Sequence, residues 1–159
     1  MIRIREANRE DRPVLASLHR RSIRALAADE HSPVVLDAWA AFPEPSVYPI
    51  DDSDVAVLVA ERDGDIAGFA ELDAPGGELA RLYVHPGHAG QGVGRSLFEA
   101  LADRAVEAGL ESLYVESSRN AADFYERMGF ERTGTHTKNL RPDGAEPVET
   151  VVVDMKRSL

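Results

Sequence analysis

The chain has 159 residues, 43% hydrophobic and 29% charged, a composition that suits a soluble globular protein with a buried core and excludes a disordered chain. Its formal net charge of −10 and pI of about 4.9 argue against nucleic acid as a partner and favour cationic ligands. With no cysteine, disulfides, thiolate metal sites and a cysteine nucleophile are excluded. No apolar run is long enough to span a bilayer, and the opening MIRIREANRED lacks the apolar stretch of a secretory signal. The expected location is therefore the cytoplasm, with no membrane partner. Only Lys138 and Lys156 are lysines, so the basic residues are nearly all arginine. Such an acid-rich, lysine-poor chain suits a high-salt cytoplasm, and a GC-rich genome equally.

Ile2 and Ile4 alternate with Arg3 and Arg5, which predicts a first strand. Asn8 then stands as a cap before a helix whose apolar positions are Val14, Leu15, Leu18 and Leu26. A second, short helix is expected over HSPVVLDAWA, with Ser32 as cap and Pro33 at its first position. The proline- and aspartate-rich AFPEPSVYPIDDSD reads as a loop. Three strands follow, over residues 55–61, 65–72 and 77–84, the first two joined by the hairpin signal Asp63-Gly64. After a glycine-rich loop, Val93, Leu97, Ala100, Leu101, Ala105 and Ala108 share a helical face that Gly109 terminates. LESLYVES is a strand, so strand, loop, helix and strand make a parallel crossover. NAADFYERMG is a short helix, and strands over about 130–137 and 147–155 flank the turn RPDG. Without a repeat or a convincing linker, residues 1–159 read as a single α/β domain. Its central sheet is mixed, mostly antiparallel with one parallel splayed pair, and is flanked by about four helices.

The segment HPGHAGQGVGRSL, residues 85–97, has the composition of a phosphate-receiving loop that runs into a helix. It fails the Walker pattern, because Ala89 stands where the first glycine belongs and Arg95 where the lysine belongs. It fails the Rossmann pattern too, since the sixth position counted from Gly90 is Arg95 and from Gly92 is Leu97. What remains is Gly90, Gly92 and Gly94 at alternate positions, free of side-chain bulk, with a helix dipole behind them. Such a loop is able to bind a pyrophosphate through backbone N–H groups without a lysine.

LYVHPGHAGQGVGRSLFEAL, followed by NAADFYERMGF, resembles the GNAT superfamily of acetyl-CoA-dependent N-acetyltransferases. The matching residues are Val84 and Pro86, the loop Gly90–Gly94, and Phe124-Tyr125-Glu126 with Gly129-Phe130. The resemblance implies acetyl-CoA as co-substrate, its pyrophosphate on the loop formed by Ala89, Gly90, Gln91, Gly92, Val93, Gly94 and Arg95. It also implies that the pantetheine arm pairs with the backbone of Leu82, Tyr83 and Val84 as an added strand. Phe124, Ser118 and Asn120 fall where relatives contact the cofactor, although Asn120 is equally a helix cap and Ser118 a plain loop residue. Ala89 departs from the family, which commonly has arginine or glutamine there; His88, Gln91 and Arg95 are the candidates to replace that contact.

Tyr125 is placed by the resemblance near the thioester sulfur, where a phenol would protonate the departing thiolate. A base for the incoming amine is sought on the central strands, at Glu71 or Glu78. Glu78 is preferred because family bases often sit on its strand, although a glutamate near a turn is as often merely solvated. Strict alternation would put Glu78, Ala80, Leu82 and Val84 on one face and Leu79, Arg81 and Tyr83 on the other, Tyr83 lining an acceptor pocket or simply packing. None of His19, His31, His85, His88 and His136 has metal-ligand spacing, so no metal is expected. His19 reads as a helix-surface residue. The implied activity is transfer of an acetyl group to a small-molecule or peptide amine by direct attack. A non-catalytic acyl-CoA-binding module is the alternative, and a homodimer is compatible with either.

Overall fold

Alternation and turn signals produce seven strands: β1 (Ile2–Glu6), β2 (Val55–Arg62), β3 (Asp65–Asp73), β4 (Glu78–Val84), β5 (Ser112–Ser117), β6 (Glu131–Leu140) and β7 (Val148–Ser158). The computed structural model describes residues 1–26, 33, 40, 43–140 and 148–159, and in it the strands form one sheet in the order β1-β2-β3-β4-β5-β7-β6. Every neighbouring pair is antiparallel except β4 and β5, the predicted parallel crossover. The described helices are α1 (Arg12–Leu26), α2 (Val93–Glu107) and α3 (Ala122–Arg127). The helix expected over HSPVVLDAWA falls, apart from Pro33 and Ala40, outside the described residues, as does the turn RPDG. No described helix is long and apolar enough to cross a membrane.

Local signals set most boundaries. Asp63 and Gly64 both have positive φ, 55° and 83°, the conformation that a two-residue hairpin turn with the sheet's own twist requires. Asn8 caps as predicted, its side chain accepting the Glu10 N–H while Asp11 accepts the Asn8 N–H. The turn it caps is 3-10, Arg9–Asp11, and α1 begins only at Arg12. Arg5 of β1 bonds both carboxylate oxygens of Asp11 and also Glu61, tying the cap to the sheet. This phase of α1 buries Leu15, Ala16, Leu18, His19, Ser22 and Ile23 and leaves Val14 exposed. Two expectations are thereby corrected. Val14 is not a core position, and His19 is buried, its Nδ1 3.0 Å from the Tyr48 hydroxyl.

The sheet has a core on each face. On one side α2 and α3 bury Leu97, Phe98, Leu101 and Tyr125 against Leu58, Leu79, Leu113 and Met155. On the other, α1 and the segment around Tyr48 cover Val57, Val59 and Phe69. At Gly68 of β3, α2 packs directly over the strand. A Cβ there would lie 2.8 Å from the Tyr83 carbonyl oxygen and 3.0 Å from both Leu97 and Val93. Gly68→Val is expected to lower Tm by about 5 °C, since overpacking a filled core costs about 1–3 kcal/mol and each kcal/mol is worth about 2–4 °C at this size. Unchanged thermal unfolding would mean that α2 can lift without loss.

One irregularity positions the functional region. β3 and β4 change register between Glu71 and Leu72, which face Arg81 and Leu79, so that Ala80 is an extra residue on β4. A bulge of this kind breaks the two-residue alternation. Leu79 therefore shares a core with Leu82 and Val84, while Tyr83 packs in the opposite one. The expected grouping of Leu79 with Tyr83, and of Glu78 with Leu82 and Val84, is corrected accordingly.

Candidate active site

β4 ends at Val84, and the chain is held at its exit by a 2.7 Å bond from the His85 N–H to the Ala67 carbonyl. A 3-10 turn, Pro86–His88, follows, with the His85 ring accepting the Gly87 N–H at 2.9 Å. Gly90 and Gly92 have φ of 75° and 84°, and Gly92 is the N-cap of α2 without any side-chain cap bond. The N–H groups of the first helical turn thus have no capping side chain, the arrangement that makes a helix start an anion site. A Cβ at Gly90 or Gly92 would meet nothing within 4 Å, so these positions are required by backbone conformation and border open space. Gly94 has a different cause. A Cβ there would come within 3.1 Å of the Phe124 ring and 3.6 Å of Val84, so its absence lets α2, α3 and β4 converge. Val93 is buried and offers only its backbone, whereas Ala89, Gln91 and Arg95 are exposed.

β4 and β5 are in register only at Glu78 and Tyr114, with the Tyr114 N–H on the Gly77 carbonyl at 2.9 Å. Beyond that contact the strands part. Leu82, Tyr83 and Val84 pair with Ala70, Phe69 and Gly68 on their other side and have no partner toward β5. The expected splayed pair is present, with an unpaired strand edge leading toward the glycine loop. Ser118 lies just past β5, its carbonyl accepting the Ser117 hydroxyl and the Ala121 N–H. Asn120 is not the helix cap, because Ala121 holds that position without a side-chain cap bond.

Tyr125 projects from α3 into this region, 5% exposed, its ring edge-to-face with Phe124 and Phe130. Among the described residues its hydroxyl has no hydrogen-bond partner. Burial, with a smaller contribution from the nearby Tyr83 phenol, pushes its pKa above the ordinary tyrosine range, so it stays protonated at neutral pH. Glu78 sits where the two strands still touch. The bulge turns it to the face that carries Glu116 and Lys138, which are themselves 3.0 Å apart. Burial first, then Glu116 and Asp73, raise the Glu78 carboxyl above its usual value, against a lowering from Lys138. Glu71, the other candidate base, is buried and engaged by Arg81 at 2.9 Å. Thus Val84, Gly94, Phe124, Tyr125 and Tyr83 lie together, with Glu78 at the closed end of the gap and the loop at its open end.

Residues 27–140 match the family model described as "Acetyltransferase (GNAT) domain". The chain belongs to the GNAT family. A GCN5-related N-acetyltransferase of Rhodopseudomonas palustris has the same GNAT fold, with a TM-score of 0.88 and 31% identity over 99% of this chain and 95% of that one. The PaiA N-acetyltransferase of Thermoplasma acidophilum, solved with coenzyme A, superposes with a TM-score of 0.74 at 22% identity over 100% and 99% of the two chains. Streptothricin acetyltransferase of Streptomyces lavendulae is 37% identical over 66% of this chain and 60% of its own length. The matches span 60–64% of the first curated relatives, less than two thirds of their length.

Within this GNAT fold, three features were missed by reading the sequence. His19, Tyr48, Phe69 and Tyr83 form an aromatic cluster beside the gap, with the His19 and Tyr83 ring centroids 4.0 Å apart. Burial, aided by Arg81 and Arg20, pushes His19 down to about 3, so its imidazole is neutral. On the exposed face of β5, β7 and β6, Tyr114 donates to Asp154 at 2.6 Å, and the His136 ring lies 2.9 Å from the same carboxylate. Arg62, at the end of β2, reaches the glycine loop. No periodicity or motif signals any of the three, because each joins segments far apart in the chain.

Proposed function

We propose that this chain is an N-acetyltransferase, residues 1–159 forming one catalytic domain, and that it moves an acetyl group from acetyl-CoA to a primary amine. The observation that carries the reading is Tyr125, a protonated phenol without a described hydrogen-bond partner beside the unpaired edge of β4. The pyrophosphate of acetyl-CoA is assigned to the backbone of Ala89–Arg95 and the α2 N-terminus, and the pantetheine arm to the edge of Leu82, Tyr83 and Val84. Gln91, Arg95, Ser118, Asn120 and Phe124 are assigned to the walls of that channel. The amine nitrogen attacks the thioester carbonyl carbon; the C–N bond forms, the C–S bond breaks, and the sulfur takes its proton from Tyr125. The proton lost by nitrogen goes to Glu78, directly or through water. A chain without cysteine suits direct attack rather than an acyl-enzyme. Catalysis is then mainly the positioning of two substrates. The relatives include a streptothricin acetyltransferase and an amino-acid acetyltransferase, and the acceptor class here is a small-molecule or peptide amine.

Calorimetric titration with acetyl-CoA, followed by thiol release across an amine panel, tests this reading. Saturable, near-stoichiometric binding and turnover are expected. The raised Glu78 carboxyl is protonated at low pH and becomes a base only as pH climbs through its elevated pKa. The rising limb of kcat/KM is therefore expected above the ordinary carboxylate range, and it should disappear in Glu78→Gln. Binding without turnover on any amine would favour a non-catalytic acyl-CoA module, and no binding would overturn the site itself.

A further inference from the structure

We propose that Arg62, a residue of the β2–β3 hairpin, is the positioning residue of the phosphate loop and adds a positive charge behind its glycines. This rests on the coenzyme-A reading above. Residues 85–94 contain no lysine or arginine, and the loop's own cation is the exposed Arg95, in a chain of net charge −10 whose assigned co-substrate is a polyanion. Arg62 reaches in from outside the loop. Its Nη1 lies 3.1 Å from His88 Nδ1 and its Nη2 donates to Gln91 Oε1 at 3.4 Å. An arginine can only donate, so His88 accepts at Nδ1 and carries its proton on Nε2. One planar guanidinium thus bridges the two residues that flank Ala89 and Gly90, the latter at φ 75°. Glycine-rich segments lose much conformational entropy on ordering, so a bridge across one prepays part of the cost of binding.

The anchor is itself rigid. Arg62 is in register with Ile2 on one side and Asp65 on the other, and its side chain is 27% exposed. Among the described residues its remaining ionic contact is Asp63 at 3.7 Å, a side chain 72% exposed and weakly coupled in water. The guanidinium is therefore not neutralised at close range. Because the two loop side chains are spent on the hairpin, the loop meets its anion with backbone N–H groups, and Arg62 adds charge from behind.

The test compares coenzyme A with pantetheine, which lacks the phosphates, on wild type, Arg62→Ala, Arg62→Lys and Gln91→Ala. Arg62→Ala is expected to weaken coenzyme A binding about tenfold and leave pantetheine unchanged. It should also flatten the dependence of coenzyme A affinity on salt, a response that loss of packing alone would not produce. Arg62→Lys keeps the charge without the bridge and should fall between. Gln91→Ala should add little to Arg62→Ala, because both remove the same bridge. Equal coenzyme A affinity in wild type and Arg62→Ala would overturn the proposal, as would an equal loss for pantetheine. If wild type itself fails to bind coenzyme A, the reading of the site falls first and takes this assignment with it.

Discussion

Tyr125→Phe is expected to lower kcat by about 100-fold, the low end of what a general acid contributes, while acetyl-CoA affinity stays within about threefold. The substitution removes one oxygen and keeps the ring that Phe124 and Phe130 hold edge-on at 5.2 and 5.5 Å. Since the hydroxyl has no described hydrogen-bond partner, its loss leaves no orphaned donor or acceptor, and thermal stability should be unchanged. The raised pKa works in the same direction. A phenol kept protonated by burial is available as a donor across the neutral range and is ill-suited to act as a base. The deficit should also shrink for an aryl thioester, whose thiol leaves as a stable anion without help. A variant that turns over acetyl-CoA like wild type would make Tyr125 a packing residue and return the thiolate's proton to solvent.

Much of this arrangement was legible because its determinants are local. Asp63-Gly64 needs two consecutive positive φ angles and Gly109 ends a helix at φ 85°, both written in adjacent residues. The glycine loop and the FYE helix were legible as motifs, and the structure brings them together through the contact of Gly94 with Phe124. What escaped depends on partners distant in sequence. The bulge at Ala80 is settled by how β4 packs against β3, and it moves Glu78 to the opposite face from the one that simple alternation gives it. His19 reads as a surface position until Tyr48, 29 residues away, covers it. Val14 fits the helical period, yet α1 turns Leu15, Leu18, His19 and Ser22 inward and leaves Val14 exposed. Arg62 reads as a charged strand end and only the fold carries it to His88.

Gly92→Asp separates the loop's conformational demand from its electrostatic one, and it is expected to reduce coenzyme A affinity by about 100-fold or more. Space inside the protein is not the obstacle, since a Cβ at this position meets nothing within 4 Å. The φ of 84° imposes strain of about 1–2 kcal/mol on an ordinary L residue, and aspartate and asparagine tolerate that region better than most. The larger effect is charge. A carboxylate at the N-cap of α2 competes with the phosphate for the same N–H groups. At roughly 5 Å and an effective dielectric of about 20, two unit charges repel by about 3 kcal/mol, which is about two decades in affinity. Gly92→Asn has nearly the same shape and the same backbone requirement without the charge, so it should lose far less. The apo protein should keep its Tm within a few degrees in both variants, because the added group faces open space and its charge favours a helix start. Similar losses for Asp and Asn would assign the glycine to backbone conformation alone, and undiminished binding in Gly92→Asp would remove the loop from the coenzyme A site.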